Sequence, residues 1–208
     1  MAIGIGLKSP LPFLQNGPTT GFKPTSAVIL GGSSAVGAAT IQILRLAVPE
    51  CMILTTSSPT HHPHLTDTLG ADHTFDRDSV SLIDDLKSRT SQCRGVDAIV
   101  DVVGAGSVQK DIFDVLNPDG PKKYAQVWTG NKEIEAPPGV DSVMFRGRDL
   151  PQLPGKENIM HALQCLLEDG KYQLPLPVHV VGHGLDALER GLEMMRHGVS
   201  GTKLVVTI

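Results

Sequence analysis

Cysteine is scarce in this chain of 208 residues: there are three, Cys51, Cys93 and Cys165, far apart and without a Cys-x-x-Cys pair. That excludes a disulfide framework and a cysteine-rich zinc site, and it predicts buried free thiols in a reducing compartment. Aromatic residues are only 4% of the sequence, too few for a base-stacking platform, and the net charge of −4 comes without a basic cluster. Nucleic acid is therefore excluded as a main partner. No apolar run reaches membrane-spanning length, and the N-terminus lacks a basic region leading into a continuous apolar stretch. A soluble, cytoplasmic protein with no membrane association is expected.

What the chain does contain is globular: 40% hydrophobic and 19% charged residues, in a length that suits one large domain or one domain with a small appendage. Its organising stretch is SAVILGGSSAVGAATIQILRLA, residues 26–47. A short apolar run meets a turn of small residues at 31–37. That turn opens into a segment with Val36, Ala39, Thr40, Ile43 and Ala47 at the spacing of one helix face. A strand, a tight turn and a helix start make an anion site, because the first helical turn has unpaired N–H groups and the positive end of the helix dipole. The fingerprint G-x-G-x-x-G would run from Gly32 to Gly37, with Ser34 at its middle glycine. A serine there can donate to phosphate through both its hydroxyl and its N–H. The alternative is an ordinary strand-to-helix turn.

Residues 52–56, MILTT, read as a second strand parallel to the first. In an open α/β sheet the end of this strand selects the cofactor, and an acidic residue there would bond both ribose hydroxyls of NAD. None is present. Ser57, Ser58, Thr60 and His61 offer donors without negative charge, which favours NADP. His61, His62 and His64 invite a metal, yet Pro59 and Pro63 put them in a loop without a fixed spacing. A solvated or phosphate-facing loop is the better reading.

Further on, residues 65–69 form a helical turn stopped by Gly70, and residues 72–75 a third strand. Residues 79–90 are expected to be helical, with Val80, Ile83 and Leu86 on one face and Ser79 as N-cap. Residues 96–103 read as a fourth, buried strand; Asp101 at its end is either a functional acid or a hydrogen-bonded structural aspartate. An amphipathic helix at 108–116 and a fifth strand at 124–128 follow, and Trp128 there is either core or a ligand contact. An irregular loop at 131–139 and a sixth strand at 142–145 complete the series. A sixth strand at a sheet edge could pair with its twin, so a homodimer is possible. Beyond the break at 151–154, helices are expected at 158–168 and 185–197, and strands at 178–181 and 204–208. His161 and Cys165, one turn apart, are expected to pack rather than chelate.

The fold class expected is α/β, a doubly wound parallel sheet of about six strands. Residues 26–150 form the NADP-binding Rossmann domain, and residues 151–208 the C-terminal helices and strand. Residues 1–7 look like the end of a helix whose beginning lies outside this chain. Residues 8–25, rich in proline and glycine, look like a surface linker rather than core. Short-chain dehydrogenase chemistry needs Tyr-x-x-x-Lys and is ruled out, since Tyr124 is followed four residues on by Trp128 and Tyr172 by Leu176.

Three blocks, GGSSAVGAATIQILRLA, LGADHTFD and GLDALERGLEMMRHGVSGTKLVVTI, resemble the cofactor half of medium-chain dehydrogenases/reductases. Within these they are most similar to the zinc-independent trans-acting enoyl reductases that serve fungal polyketide synthases. The resemblance implies NADPH as cofactor, its phosphates on Ser33, Ser34, Ala35, Val36 and Gly37, and its 2′-phosphate near Ser58, Thr60 and His61. Arg77 stands where that family usually has tyrosine, and guanidinium pairs well with phosphate. Val127, Trp128, Val199 and Ser200 match positions lining the nicotinamide end. A GroES-like catalytic domain, which the family carries N-terminally, is absent from this chain. Hydride transfer to an α,β-unsaturated thioester, ketone or quinone-like acceptor is the implied chemistry. The substrate would be a small molecule or an acyl thioester, with a polyketide synthase as a candidate partner. No catalytic residue can be named, no metal is expected, and the chain alone is expected to be incomplete and weakly active or inactive. The alternative function is a non-catalytic NADPH-binding module.

Overall fold

The computed structural model describes residues 1–130 and 133–208. Six strands, β1 (Ser26–Leu30), β2 (Met52–Ser57), β3 (His73–Asp76), β4 (Ala98–Asp101), β5 (Lys123–Val127) and β6 (Asp141–Phe145), form one wholly parallel sheet in the order β3-β2-β1-β4-β5-β6. All five residues of β1 are buried, as a strand covered on both faces must be. Its alternation divides the core in two. Ala27 and Ile29 face Ile41 and Leu44 of helix α1 (Ala35–Ala47), with Ile53, Val100 and Phe145; Val28 and Leu30 face Leu82 and Leu86 of helix α2 (Leu82–Ser88), with Ile99, Phe113 and Tyr124. Each such leucine contributes roughly 1.5–3 kcal/mol by leaving water. The chain winds outward from β1 to β3, then crosses back to β4 on the other side of β1. That reversal opens a crevice at the carboxyl ends of β1 and β4, where ligands bind in sheets of this kind.

Residues 2–6 form a helical turn, and Ile3 and Leu7 are buried in the same core as α1. Residues 8–25 depart from the surface linker expected, since Leu11 and Leu14 are buried in that core too. Prolines and glycines set the path of residues 8–25, but the two leucines tie that path to the core. Residues 108–116 are not an α-helix either. Short 3₁₀ turns form at Ala105–Ser107 and Lys110–Val115, and Val108 between them is exposed. Helix α2 starts at Leu82 without a side-chain cap, Val80 is fully exposed, and the Ser79 hydroxyl meets Ser81 and Asp85 instead. In the expected loop at 131–139, Asn131 and Lys132 lie outside the described residues; the remainder is irregular.

After the sheet come helix α3 (Ile159–Glu168) and a β-α-β unit of β7 (Val178–His183), helix α4 (Ala187–His197) and β8 (Lys203–Thr207), whose two strands pair in parallel. His161 and Cys165 on α3 are both exposed, with Nε2 and Sγ 3.8 Å apart, not packed. Of the three thiols only Cys51 is buried, where burial pushes its pKa up to about 12; Cys93 and Cys165 are exposed. No helix of the described residues is long and apolar enough to cross a membrane.

Candidate functional site

The turn after β1 is built by close approach. Gly31 has a φ of +85°, and a Cβ on Gly37 would fall 2.2 Å from the Gly31 carbonyl oxygen, so both positions require glycine. A Cβ on Gly32 would meet Thr55 Oγ1 at 2.1 Å. The Gly31 N–H donates to Thr56 Oγ1 at 3.2 Å and the Gly32 N–H to the Thr56 carbonyl at 3.0 Å, fixing the turn to β2. Ser34 is the N-cap of α1. Its hydroxyl donates to the Gly31 carbonyl at 2.8 Å and accepts the Gly37 N–H at 3.0 Å. A free Ser34 hydroxyl was expected, and it is instead committed to the turn. The donors that a helix start leaves without an intrahelical acceptor are the N–H groups of its first residues, here Ala35 and Val36, both exposed. With them comes roughly half a positive charge from the helix dipole.

This helix start stands between two clefts. One, of about 430 Å³, is lined by Gly31, Ser33, Ser34, Ser57, Arg77 and Val103, with Val199 and Ser200 also on its wall. The other, of about 380 Å³, is lined by Ala35, Val36, Val127, Trp128, Phe145 and Arg146. Val199 and Ser200 were expected beside Val127 and Trp128. They lie instead on the Arg77 side, because Ser200 Oγ is 2.9 Å from His61 Nε2 and Gly201 fits edge-on against that imidazole. A Cβ on Gly201 would fall 2.4 Å from His61 Cε1, and its φ is +60°.

Ser58, Thr60 and His61 line neither cleft. A 3₁₀ turn at Pro59–His61 carries them past the sheet edge. Thr56 and Ser57, just before them in the chain, line the cleft in their stead, together with Asp78. Asp78 Oδ2 is 3.5 Å from Arg77 Nε, and both side chains are exposed. Two of the three clustered histidines go to separate partners, His61 to Ser200 and His64 Nε2 to the Pro175 carbonyl at 3.4 Å, while His62 Nε2 is buried without a hydrogen-bond partner among the described residues. Among the described residues no three His, Cys, Asp or Glu side chains come together as metal ligands, so these residues do not fit a zinc centre.

One group escapes a reading of strands and turns. Arg146 sets its guanidinium 5.4 Å from the centre of the Trp128 ring, a cation–π contact that puts a positive charge in the second cleft. Trp128 is half exposed and belongs to this cleft rather than to the core. Asp101, at the end of β4, is fully buried. Its Oδ1 accepts the N–H groups of Val103, Gly104 and Ala105 at 3.1, 2.7 and 3.0 Å. Its Oδ2 accepts the Gly106 N–H at 3.0 Å and the Tyr124 hydroxyl at 2.8 Å. Asp101 is thus the hydrogen-bonded aspartate of the two alternatives. Burial and the Asp101 carboxylate push the Tyr124 phenol well above its ordinary pKa.

Comparison with known proteins agrees with this fold. The zinc-binding dehydrogenase family model matches residues 35–150. The chain is 29% identical over 206 residues to the trans-enoyl reductase himH of Aspergillus japonicus, covering 95% of this chain and 56% of that protein. It is also 29% identical over 230 residues to lovC of Aspergillus terreus, the enoyl reductase component of lovastatin nonaketide synthase, covering 98% and 59%. Among solved structures it resembles CurA of Vibrio vulnificus in complex with NADPH, with a TM-score of 0.59 and 19% identity, over 89% of this chain and 57% of that one. The chain therefore spans a little over half the length of these three proteins. With more than half of its own residues matched by the family model and a six-stranded parallel sheet to carry them, it belongs to the zinc-binding dehydrogenase family, within the medium-chain dehydrogenases/reductases.

Proposed function

We propose that this chain is the NADPH-holding part of an oxidoreductase that reduces an α,β-unsaturated thioester, a ketone or a quinone-like acceptor. The observation that carries the proposal is the start of α1 standing between two clefts, one with Arg77 and one with Val127 and Trp128. In this reading the pyrophosphate lies across the helix start, held by the N–H groups of Ala35 and Val36 and by Ser33. Gly37 lets the helix come close enough to the strand. Arg77 pairs with the 2′-phosphate, and Ser57 and Ser200 flank it without adding negative charge. Ser58, Thr60 and His61 act from behind, His61 by bonding Ser200. Val127 and Trp128 give the nicotinamide ring an apolar face. NADPH, when bound, would supply the hydride for the acceptor. The chain's own residues hold and orient.

The relatives' names support an enoyl acceptor, since himH is a trans-enoyl reductase and lovC a component of a synthase. A polyketide synthase is accordingly the partner proposed, in the cytoplasm. Titration of the full chain with NADPH and NADH, followed by incubation with an enoyl thioester, an enone and a quinone, tests the proposal. Tighter binding of NADPH is expected, with slow consumption at most by one acceptor. Binding without consumption would leave a non-catalytic NADPH module, and no binding would overturn the proposal altogether.

A further inference from the structure

We infer that Asp101 is a positioning residue for the Arg77-side cleft, acting through Val103, an inference that rests on the cofactor reading proposed above. Four consecutive N–H groups, from residues 103–106, converge on one carboxylate, and Gly104 takes a φ of +73° to make that convergence possible. Such a run of N–H groups is an anion-binding nest. Here the protein fills it with its own side chain. The clamped residues matter because Val103 lies against the phosphate turn. A Cβ on Gly31 would fall 2.4 Å from Val103 Cγ1, so the valine occupies the space beside the first glycine of the turn. Val103 and Ala105 also line the cleft.

The clamp has a fixed base. The Tyr124 hydroxyl, the fifth donor to Asp101, comes from β5, and its ring packs on Phe113 with centroids 4.8 Å apart. Asp101 is itself in register with Leu30, the last residue of β1. A carboxylate accepts at both oxygens, whereas an amide of the same shape would turn a donor towards the Gly106 N–H. The charge, and not only the size, is therefore what holds the wall of the cleft against Gly31.

The test uses the full chain and four proteins: wild type, Asp101→Asn, Tyr124→Phe and Leu166→Ala. Leu166 is buried on α3 and lines neither cleft, so its truncation controls for lost stability alone. NADPH affinity is measured from the fluorescence of its nicotinamide at a temperature where every variant is folded, and amide hydrogen exchange is followed at residues 103–106. Asp101→Asn should weaken NADPH binding by about tenfold and speed exchange most at Gly106. Tyr124→Phe, which removes one donor, should weaken binding by about two- to fivefold. Leu166→Ala should bind within about twofold of wild type despite its lower melting temperature. If Asp101→Asn does not fold, Tyr124→Phe decides by the same two readouts. Wild-type affinity and exchange in the Asp101 and Tyr124 variants, or an equal loss in Leu166→Ala, would overturn the inference. If wild type binds neither NADPH nor NADH, the cofactor reading fails, and the exchange pattern alone decides the clamp.

Discussion

Arg45, in the last turn of α1, reaches Asp72 at the entry to β3, with Nη2 and Oδ2 2.6 Å apart. The same guanidinium donates to the carbonyls of Pro49, Cys51 and Gly70, and the same Asp72 oxygen accepts the Ile53 N–H at 2.7 Å. One cation thus ties the end of α1, the start of β2 and the turn at residues 70–72. Replacing Arg45 by Met should lower stability by about 1–2 kcal/mol in denaturant titration, a range kept small because the pair is partly exposed. An unchanged midpoint would mean that water replaces these bonds at no cost.

Ser34 allows stability and binding to be separated. Ser34→Ala removes the N-cap and should cost about 1 kcal/mol of stability. Ser34→Asp keeps an acceptor for the Gly37 N–H but loses the donor to the Gly31 carbonyl, so it too should melt below wild type. Unlike Ser34→Ala, it also puts a negative charge against the proposed pyrophosphate site and should abolish NADPH binding. Retained affinity in Ser34→Asp would mean that phosphate is not held at this turn.

How far the chain could be read from its residues depended on where the information lies. The unit from β1 to α1 was legible because the apolar period changes from two to 3.6 across a run of small residues. The break at residues 105–115 was not. Ile112, Phe113 and Val115 suit an α-helix, while the N–H groups of residues 103–106 just ahead of them are bound by Asp101, a tertiary fact. Ser200 was misplaced for the same reason, since only the folded chain sets Gly201 against His61. Leu11 and Leu14 were hidden by their prolines and glycines, which report the course of a backbone but not what covers it.

Arg77 should decide between cofactors. Arg77→Leu is expected to weaken NADPH binding by about tenfold while changing NADH binding by less than about twofold, measured by titration at low salt. Asp78→Asn should act in the opposite sense, because it removes the carboxylate that competes for the guanidinium. Equal losses for both cofactors in Arg77→Leu would take the 2′-phosphate away from this residue.

Lys123 and Asp141 form an ion pair between β5 and β6. The hydrogen bond from Lys123 holds the Asp141 carboxyl below its ordinary pKa, so the folded state favours the charged form. The resulting stability is present above the ordinary carboxylate value of about 3.9, and it fades as pH falls through the lowered one. Lys123→Met should therefore cost about 0.5 kcal/mol or less at neutral pH, Asp141 being half exposed. The difference from wild type should close as the solution is acidified below pH ~4. A gap that widens in acid would reverse the assignment.

The helix start between two clefts has a consequence for how tightly each end of a ligand must be gripped. Under the proposed function the pyrophosphate is a tether of two phosphates, and once one nucleotide is seated the other meets its cleft intramolecularly, at an effective concentration in the millimolar range or above. Neither cleft then needs to hold its mononucleotide well alone. The adenosine end can be tuned for identity by Arg77 and Asp78, while the Trp128 end stays loose enough to release an oxidised ring.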